Sequence, residues 1–320
     1  MFIPEFLYPS NPLIIAICIL LAHLLDYLYP YHSGFMLTIH PVHTSYVVAR
    51  ILGRPYSSRA RGVVIWIAIV AIHIALYTLI LYIAWNINIY LWILIASYIM
   101  KTSFSLRLLL DIVKKALICV SSNDWSCARY WVQQIVRRNV YQIDNEHVIS
   151  AAIESLAESL VDGYISPLFY TAILGPIGGL FQRIVNTLDS ALGYKDPEYI
   201  DVGWFSAKMD TIINFIPARI TALLIILSSP LVRGSIKYSL DIWRRYRRAT
   251  ESINAGNPIS AMAGALRVRL EKIGAYTIGE PIEKLNDVAI AKALKISINV
   301  VLIWLLITIA IAVLLPSIMY

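Results

Sequence analysis

The sequence predicts an all-α fold: a polytopic membrane helix bundle with about four full spans, two broken or re-entrant segments, and cytoplasmic amphipathic helices. Hydrophobic residues make up 58% of the chain and charged residues only 15%, whereas soluble domains carry about 25% charged residues. The loops between the long apolar runs are rich in arginine and lysine. Two further apolar runs contain proline, glycine or polar residues in their interiors. These observations place the protein in the cell membrane with several spans.

The composition also limits domain organisation and partners. No linker, low-complexity tract or internal repeat divides the 320 residues, so we expect a single membrane domain over residues 1–320. The net charge of +7 suits an anionic leaflet or phosphorylated ligands, and no aromatic-basic pattern indicates nucleic acid. Cys18, Cys119 and Cys127 lack paired metal-ligand spacing, so neither a zinc site nor a disulfide framework is expected.

Four apolar runs are predicted to span the bilayer, at residues 13–28, 62–85, 89–104 and 296–319. The first lacks a basic leader and a small-residue cleavage site, so we expect it to be a retained anchor. Arg50, Arg54, Arg59 and Arg61 follow it without an acidic residue among them. The positive-inside rule therefore makes that loop cytoplasmic and both termini external.

Residues 105–162 show apolar positions at helical spacing between charges, which predicts amphipathic helices outside the hydrocarbon. Glu154, Glu158 and Asp162 recur at intervals of four and would share one helix face. Two interpretations stay open: a solvated face, or a site for a cation such as Mg²⁺. Residues 274–281 are predicted to form a loop.

The two broken segments are residues 165–185 and 212–232. Gly175-Pro176 interrupts the first, and Asn214, Pro217 and Arg219 interrupt the second. If the first crossed the bilayer fully, the polar residues before and after it would lie on opposite sides. We therefore expect both segments to be discontinuous or re-entrant, which membranes tolerate where the irregular backbone is buried or lines a cavity. This arrangement puts one active site on the cytoplasmic side.

The candidate chemical groups are carboxylates and cations. The chain has no phosphate-loop, His-Glu-x-x-His or Gly-x-Ser-x-Gly motif. What remains is a set of acids and a set of bases: Glu154, Glu158, Asp162, Asp189, Asp210, Arg129, Arg138, Lys195, Lys208 and Arg219. Carboxylates that hold Mg²⁺, with Arg and Lys on phosphate oxygens, are typical of phosphoryl transfer. The residues thus indicate a membrane enzyme acting on phosphorylated compounds.

Short motifs occur in one order through most of the chain. The first half contains Asp26, His40-Pro41-Val42, Asn123-Asp124, Ala128-Arg129, Ile135-Val136-Arg137-Arg138, Glu154, Glu158, Asp162-Gly163 and Pro167-Leu168-Phe169. The second half contains residues 186–190, Gly193-Tyr194-Lys195, Tyr199, Gly203, Ser206-Ala207, Asp210, Asn214, Pro217-Ala218-Arg219, Asn254-Ala255-Gly256 and Ala263-Gly264-Ala265-Leu266. On these residues the sequence resembles the adenosylcobinamide-phosphate synthase family of cobalamin biosynthesis, the CbiB/CobD family.

The resemblance implies an ATP-dependent amide ligase. Such an enzyme joins the free propionate carboxylate of adenosylcobyric acid to (R)-1-amino-2-propanol O-phosphate, or a related amino-alcohol, and gives adenosylcobinamide phosphate. The resemblance also implies ATP and Mg²⁺ as cofactors and the corrinoid and the amino-alcohol phosphate as substrates. The lipid bilayer and other membrane enzymes of the pathway would be its partners.

Carried onto this chain, the resemblance implies two sets of site residues. The catalytic set is Glu154, Glu158, Asp162, Asp189 and Asp210, of which the first four would hold Mg²⁺. The set that binds substrate and phosphate is His40, Arg129, Arg138, Asn186, Lys195, Lys208, Asn214 and Arg219. For Asn186, Asp189 and Arg219 the alternative is mutual hydrogen bonding that braces broken helices.

Some positions depart from the family pattern. Leu28-Tyr29-Pro30 stands where the family has Gly-Asp-Pro, and Asn139, Ser159, Lys208 and Thr211 replace Asp, Asn, Arg and Asp. These changes leave room for another amino-alcohol or for a non-catalytic membrane relative that acts as a partner or sensor. A transporter is disfavoured because no second copy of the 154–219 pattern occurs.

Overall fold

The computed structural model describes residues 4–319, and apart from one hairpin the regular structure in that range is helical. The α-helices are α1 (Pro12–Leu28), α2 (Gly34–Thr38), α3 (Pro41–Leu52), α4 (Arg59–Ile87), α5 (Ile89–Ser103), α6 (Leu106–Ser121), α7 (Trp125–Gln133), α8 (Asn145–Leu160), α9 (Ser166–Leu192), α10 (Trp204–Ile213), α11 (Phe215–Ser228), α12 (Ile236–Tyr246), α13 (Gly256–Leu266), α14 (Asp287–Leu314) and α15 (Pro316–Met319). Short 3₁₀ turns occupy Val140–Gln142 and Ser229–Val232, and a π-helical turn occupies Val161–Ile165. Strands β1 (Leu270–Lys272) and β2 (Tyr276–Ile278) pair antiparallel.

Five helical segments are long and apolar enough to cross a membrane: Arg59–Ile87, Ile89–Ser121, Asn145–Leu192, Phe215–Val232 and Asp287–Ile318. The first, second and fifth contain spans that the sequence predicts. The other two hold nearly all of the segments predicted to be broken. Helix α1 is apolar but shorter, with 17 residues. The all-α, polytopic prediction is confirmed.

The chain forms two compact units. The first unit contains the described chain up to Ser105, then Ser166–Ile213, then the part from Leu306 onward. The second unit contains Leu106–Ile165 and Asn214–Leu305. The interpretation of residues 1–320 as one membrane domain stays a prediction.

In the first unit, α9 is the central element. Helices α3, α4, α5 and α10 pack against it, and α1 packs against α5. Buried tryptophan and tyrosine side chains fix the N-terminal segment, since Trp92 Nε1 donates to the carbonyl of Phe6 (2.8 Å) and the Tyr8 hydroxyl donates to that of Ala172 (3.0 Å).

The predicted break in α9 lies at Gly175, where φ is +70° and ψ is −161°. A side chain is disfavoured at that φ, and a Cβ there would clash with the carbonyl oxygen of Leu7. Pro176 follows and cannot donate a helical hydrogen bond. The second predicted break lies at Asn214, between the end of α10 and the start of α11.

In the second unit, α8 packs against α6, α7, α13 and β1. Its core includes a cluster of small and β-branched residues, namely Ala116, Val132, Val140, Val148, Ala151 and Ala152. Burial extends around α8, and Glu154 is only 5% exposed. Of the two interpretations of the acidic face, a solvated face is wrong at Glu154.

Three further expectations need correction in this unit. A disulfide joins Cys119 at the end of α6 to Cys127 in α7, although no disulfide was expected. The predicted loop at residues 274–281 contains strand β2, which pairs with β1 around Gly274 (φ +74°). Asp162 lies in the π-helical turn, so the regular spacing of three carboxylates ends at Glu158, because a π turn changes the helical register.

Candidate functional site

The predicted site residues fall into both units, and each set is described within its own unit. The first unit holds His40, Asn186, Asp189, Lys195, Lys208 and Asp210. The second unit holds Arg129, Arg138, Glu154, Glu158, Asp162, Asn214 and Arg219.

Glu154 is the centre of a buried polar cluster in the second unit. Its Oε1 accepts hydrogen bonds from Arg138 Nη2 (3.0 Å) and from the hydroxyl of Ser150 (2.6 Å). Its Oε2 accepts a hydrogen bond from the hydroxyl of Tyr276 (2.5 Å). A buried carboxylate is costly unless such donors compensate the loss of water. The arrangement therefore fixes the Glu154 carboxylate and holds Arg138 beside it.

The hairpin of β1 and β2 brings Tyr276 to this cluster. The Ser150 hydroxyl, which donates to Glu154, also accepts a hydrogen bond from the backbone N–H of Glu271 (2.8 Å). Burial, and then the Glu154 carboxylate, raise the pKa of Tyr276, with a smaller contribution from Glu158. Tyr276 is thus a neutral donor at physiological pH. Sequence reasoning missed Ser150 and Tyr276, because nothing local marks a serine on α8 or a tyrosine in a short loop.

Four carboxylates were predicted to share an Mg²⁺ ion. Within residues 4–319 no group of three or more His, Cys, Asp or Glu side chains is placed to hold an ion. Both oxygens of Glu154 already accept from protein donors. The shared Mg²⁺ site of Glu154, Glu158, Asp162 and Asp189 stays a prediction.

Arg129 and Arg219, the two other predicted cations of the second unit, brace helix ends. Arg129 Nη2 donates to the carbonyl of Ile143 (3.0 Å) and to Oδ1 of Asn145 (2.9 Å), which ties α7 to the start of α8. Arg219 donates to the carbonyl of Phe215 (2.6 Å) and to Oδ1 of Asn254 (3.1 Å). These contacts give both arginines a structural role on α7 and α11.

Asn214 is a further predicted binding residue of the second unit. It is 1% exposed and precedes the first residue of α11. Its position at the break of the second interrupted segment agrees with the predicted discontinuity.

A second polar cluster lies in the first unit. The side-chain amide of Asn186 donates to Oδ1 of Asp210 (3.1 Å), and Arg183 Nη1 donates to Oδ1 of Asn186 (3.2 Å). The structure thus brings together two predicted residues, from α9 and α10, and adds Arg183. Lys208 is exposed on the same α10 helix.

His40 lies close to basic side chains of the same unit. Its ring is 4.3 Å from that of His32, and Lys101 Nζ lies 3.2 Å from Nε2 of His32. Burial, and then the nearby His32, Lys101, Arg183 and His43, together lower the pKa of His40 to about 3. Burial and Lys101 lower the pKa of His32 to about 4. Both imidazoles are neutral at pH 7, and Nδ1 of His40 accepts from the backbone N–H of Val42 (3.3 Å) at the start of α3.

Lys195 lies in the loop between α9 and α10, beside an open cavity of about 520 Å³. The cavity is lined by Arg50, Tyr56, Tyr194, Asp196, Pro197, Glu198 and Tyr199. Asp189 lies near the end of α9, where its carbonyl accepts from the N–H of Gly193 (2.7 Å). The neighbours of Lys195 in the chain, Tyr194 and Asp196, line the cavity, and none of the lining residues was predicted as a site residue.

The comparisons with known proteins agree on one family. The CobD/Cbib protein family matches residues 19–315. A probable cobalamin biosynthesis protein CobD of Aeropyrum pernix is 46% identical over 91% of this chain and 91% of its own length. Proteins with the same description from Thermoplasma volcanium and Methanothermobacter thermautotrophicus are 38% and 37% identical, over 81% and 75% of this chain and 85% and 80% of their own lengths.

No solved structure matches the chain. The family match covers most of the sequence, and the order of its short motifs agrees with it. The chain belongs to the CobD/CbiB family.

Proposed function

We propose that the protein is an adenosylcobinamide-phosphate synthase. It would join the free propionate carboxylate of adenosylcobyric acid to (R)-1-amino-2-propanol O-phosphate, or a related amino-alcohol, in an ATP-dependent reaction of cobalamin biosynthesis. The observation that carries this proposal is the family match over residues 19–315, together with relatives described as probable cobalamin biosynthesis proteins.

The buried cluster around Glu154 supports a positioning role in that reaction. Glu154 uses one donor of Arg138, and a guanidinium offers five N–H donors in a fixed plane. The remaining donors suit the oxygens of a phosphate or carboxylate. In our proposal Glu154 and Tyr276 orient Arg138, and Arg138 binds an anionic group of a substrate.

The cluster of the first unit supports binding of a second anionic group. Lys101 and Arg183 supply positive charge close to His40 and His32, and the neutral imidazoles can donate or accept hydrogen bonds. The proposed site residues also include Glu158, Asp162, Asp189, Asp210, Arg129, Asn186, Lys195, Lys208, Asn214 and Arg219. ATP is used as its magnesium complex in water, so a requirement for Mg²⁺ needs no protein-held ion.

The proposed chemistry has two steps. Attack of the propionate oxygen on the terminal phosphorus of ATP would form an acyl phosphate and release ADP. The uncharged amine would then attack the carbonyl carbon, phosphate would leave, and the amine proton would pass to a base. Positive side chains would lower the barrier by neutralising phosphate oxygens.

In this proposal the protein lies in the cell membrane with its active site on the cytoplasmic side, where other membrane enzymes of the pathway could act as partners. Cysteine labelling from each side tests the location. Labelling of residues 190–205 from outside the cell alone would contradict it.

The test of the reaction is an amide-forming assay on purified protein. Adenosylcobyric acid, ATP and a panel of amino-alcohol phosphates should give adenosylcobinamide phosphate or its analogue, detected by mass spectrometry, with stoichiometric ADP. Omission of ATP should abolish the product. A folded protein that gives no product with any amino-alcohol would favour a non-catalytic partner or sensor. The panel also tests whether Asn139, Ser159, Lys208 and Thr211 accompany a changed amine substrate.

A further inference from the structure

The cavity beside Lys195 is formed by two segments of the first unit. One segment includes the end of α3 and the turn that follows it, and the other is the loop that follows α9. The backbone N–H of Tyr56 donates to the carbonyl of Glu198 (2.7 Å), which joins the two segments. The cavity volume of about 520 Å³ falls within the range of about 300–1,000 Å³ that small-molecule sites occupy.

One wall of the cavity carries planar side-chain groups. The guanidinium of Arg50 lies over the ring of Tyr199 at 4.9 Å, and its Nη1 donates to the carbonyl of Ala191 (3.2 Å). The ring of Tyr194 lies 5.8 Å from that of Tyr199. Tyrosine and arginine planes provide a surface on which a heteroaromatic ring can stack.

The rim of the cavity carries both signs of charge. Asp196 and Glu198 are exposed, and carboxylates at such a position can accept hydrogen bonds from ribose hydroxyls, as in other nucleotide sites. Two exposed cations lie close to lining residues in the chain. Arg54 is two positions before Tyr56, and Lys195 stands between Tyr194 and Asp196. Such cations suit phosphate oxygens.

Size and chemistry select one of the three substrates of the proposed reaction. A corrinoid is too large for this volume. An amino-alcohol phosphate has no ring to place against the tyrosines. A nucleotide has a planar base for stacking, hydroxyls for carboxylates and phosphates for cations.

We propose that the cavity lined by Arg50, Tyr194, Asp196, Glu198 and Tyr199 binds the nucleoside part of ATP. This proposal rests on the proposed function for the identity of the nucleotide. The base stacks on the ring of Tyr199 and contacts Tyr194 at its edge. The ribose hydroxyls donate to Asp196 and Glu198, and the phosphates extend towards Lys195 and Arg54.

The test measures ATP binding to the full-length protein in detergent, by titration calorimetry without corrinoid or amine. Tyr199→Ala should raise the Kd of ATP about tenfold, the size expected for loss of one stacking partner. Tyr199→Phe should stay within about twofold of the wild type, because the ring is retained. Tyr90→Ala is the matched control, since this tyrosine is 80% exposed and does not line the cavity.

The ribose contacts have their own test. The wild type should bind 2′,3′-dideoxy-ATP about tenfold more weakly than ATP, because the hydrogen bonds from the ribose hydroxyls to the two carboxylates are lost. The Asp196→Ala/Glu198→Ala double variant should bind the two nucleotides equally. Photolabelling with 8-azido-ATP should modify peptides within residues 191–203 or 50–58.

Three results would overturn the proposal: no ATP binding by the wild type, unchanged binding by Tyr199→Ala, or labelling confined to other peptides. The amide-forming assay separates these results from failure of the proposed reaction. Product formation with unchanged ATP affinity in Tyr199→Ala rejects the cavity and keeps the reaction. Nucleotide binding in the cavity without product formation supports the cavity and rejects the proposed reaction.

Discussion

The hydroxyl of Tyr276 lies 2.5 Å from Oε2 of Glu154, although 122 positions separate the two residues in the chain. This contact joins the hairpin to α8 and completes the set of donors around a carboxylate that is 5% exposed. It gives Glu154 a structural role at the centre of a hydrogen-bonded cluster. The first two predictions test that role.

Tyr276→Phe should lower the free energy of unfolding by about 1–3 kcal/mol, because one oxygen of a buried carboxylate loses its donor. Thermal unfolding in detergent measures the change. Tyr141→Phe is the matched control, since Tyr141 is 55% exposed on the same unit and should unfold like the wild type. Equal stabilities of Tyr276→Phe and Tyr141→Phe would contradict the role of the hydroxyl.

Arg138 and Glu154 should be energetically coupled. Arg138→Met leaves the buried Glu154 carboxylate without its charged partner and should cost about 3–5 kcal/mol. Glu154→Leu should cost less, because the Arg138 side chain is 19% exposed and can be solvated. The double variant removes both charges and should cost clearly less than the sum of the single changes. Chemical denaturation of the four proteins gives the coupling. Additive losses would show that the 3.0 Å contact between Arg138 and Glu154 contributes nothing to stability.

Asn186 and Asp210 should tolerate an exchange better than a single change. Asn186→Asp places a second carboxylate against Oδ1 of Asp210, which Asn186 contacts at 3.1 Å, and should destabilise the protein by about 1–3 kcal/mol. Adding Asp210→Asn restores an amide donor and a carboxylate acceptor. The double variant should recover at least half of the decrease in unfolding temperature that Asn186→Asp causes. A double variant less stable than Asn186→Asp would refute this pairing.

Gly175 should be far more sensitive to alanine than Gly163. Gly175 has φ +70° and faces the Leu7 carbonyl, whereas a Cβ at Gly163 meets nothing within 4 Å. Gly175→Ala should therefore cost at least about 1 kcal/mol from backbone conformation alone, while Gly163→Ala should change little. Unfolding temperatures of the two variants provide the comparison, and equal values would contradict the strained position of Gly175.

The acid sensitivity of the protein should depend on His40. Its folded pKa of about 3 lies below the ordinary value of 6.5, so the folded state binds fewer protons than the unfolded state between these values. The stability that this group contributes is complete above pH 6.5 and is lost as the pH falls towards 3.

His40→Asn keeps a residue suited to the start of a helix but removes the titrating ring. Between pH 6 and 4 its unfolding free energy should fall less steeply than that of the wild type, by up to about 1.4 kcal/mol per pH unit. Unfolding measured in detergent at several pH values tests this. Parallel curves would assign the acid sensitivity to other groups.

The sequence by itself determined the membrane class, most of the spans and both helix breaks. These properties follow from local causes, since apolar runs of sufficient length enter a bilayer and a Gly-Pro pair interrupts helical hydrogen bonding. Short motifs that occur in a fixed order also indicated the family. For α8, periodicity alone predicted a polar stripe, but it could not show that surrounding elements bury Glu154.

The tertiary structure decided which side chains meet. Tyr276 reaches Glu154 because β1 and β2 form a hairpin beside α8, and Asp162 leaves the predicted stripe because a π-helical turn begins at Val161. Arg183 joins Asn186 and Asp210 through the packing of α9 against α10. Hydrogen bonds between residues distant in the chain depend on how helices pack, and neither composition nor residue spacing specifies that packing.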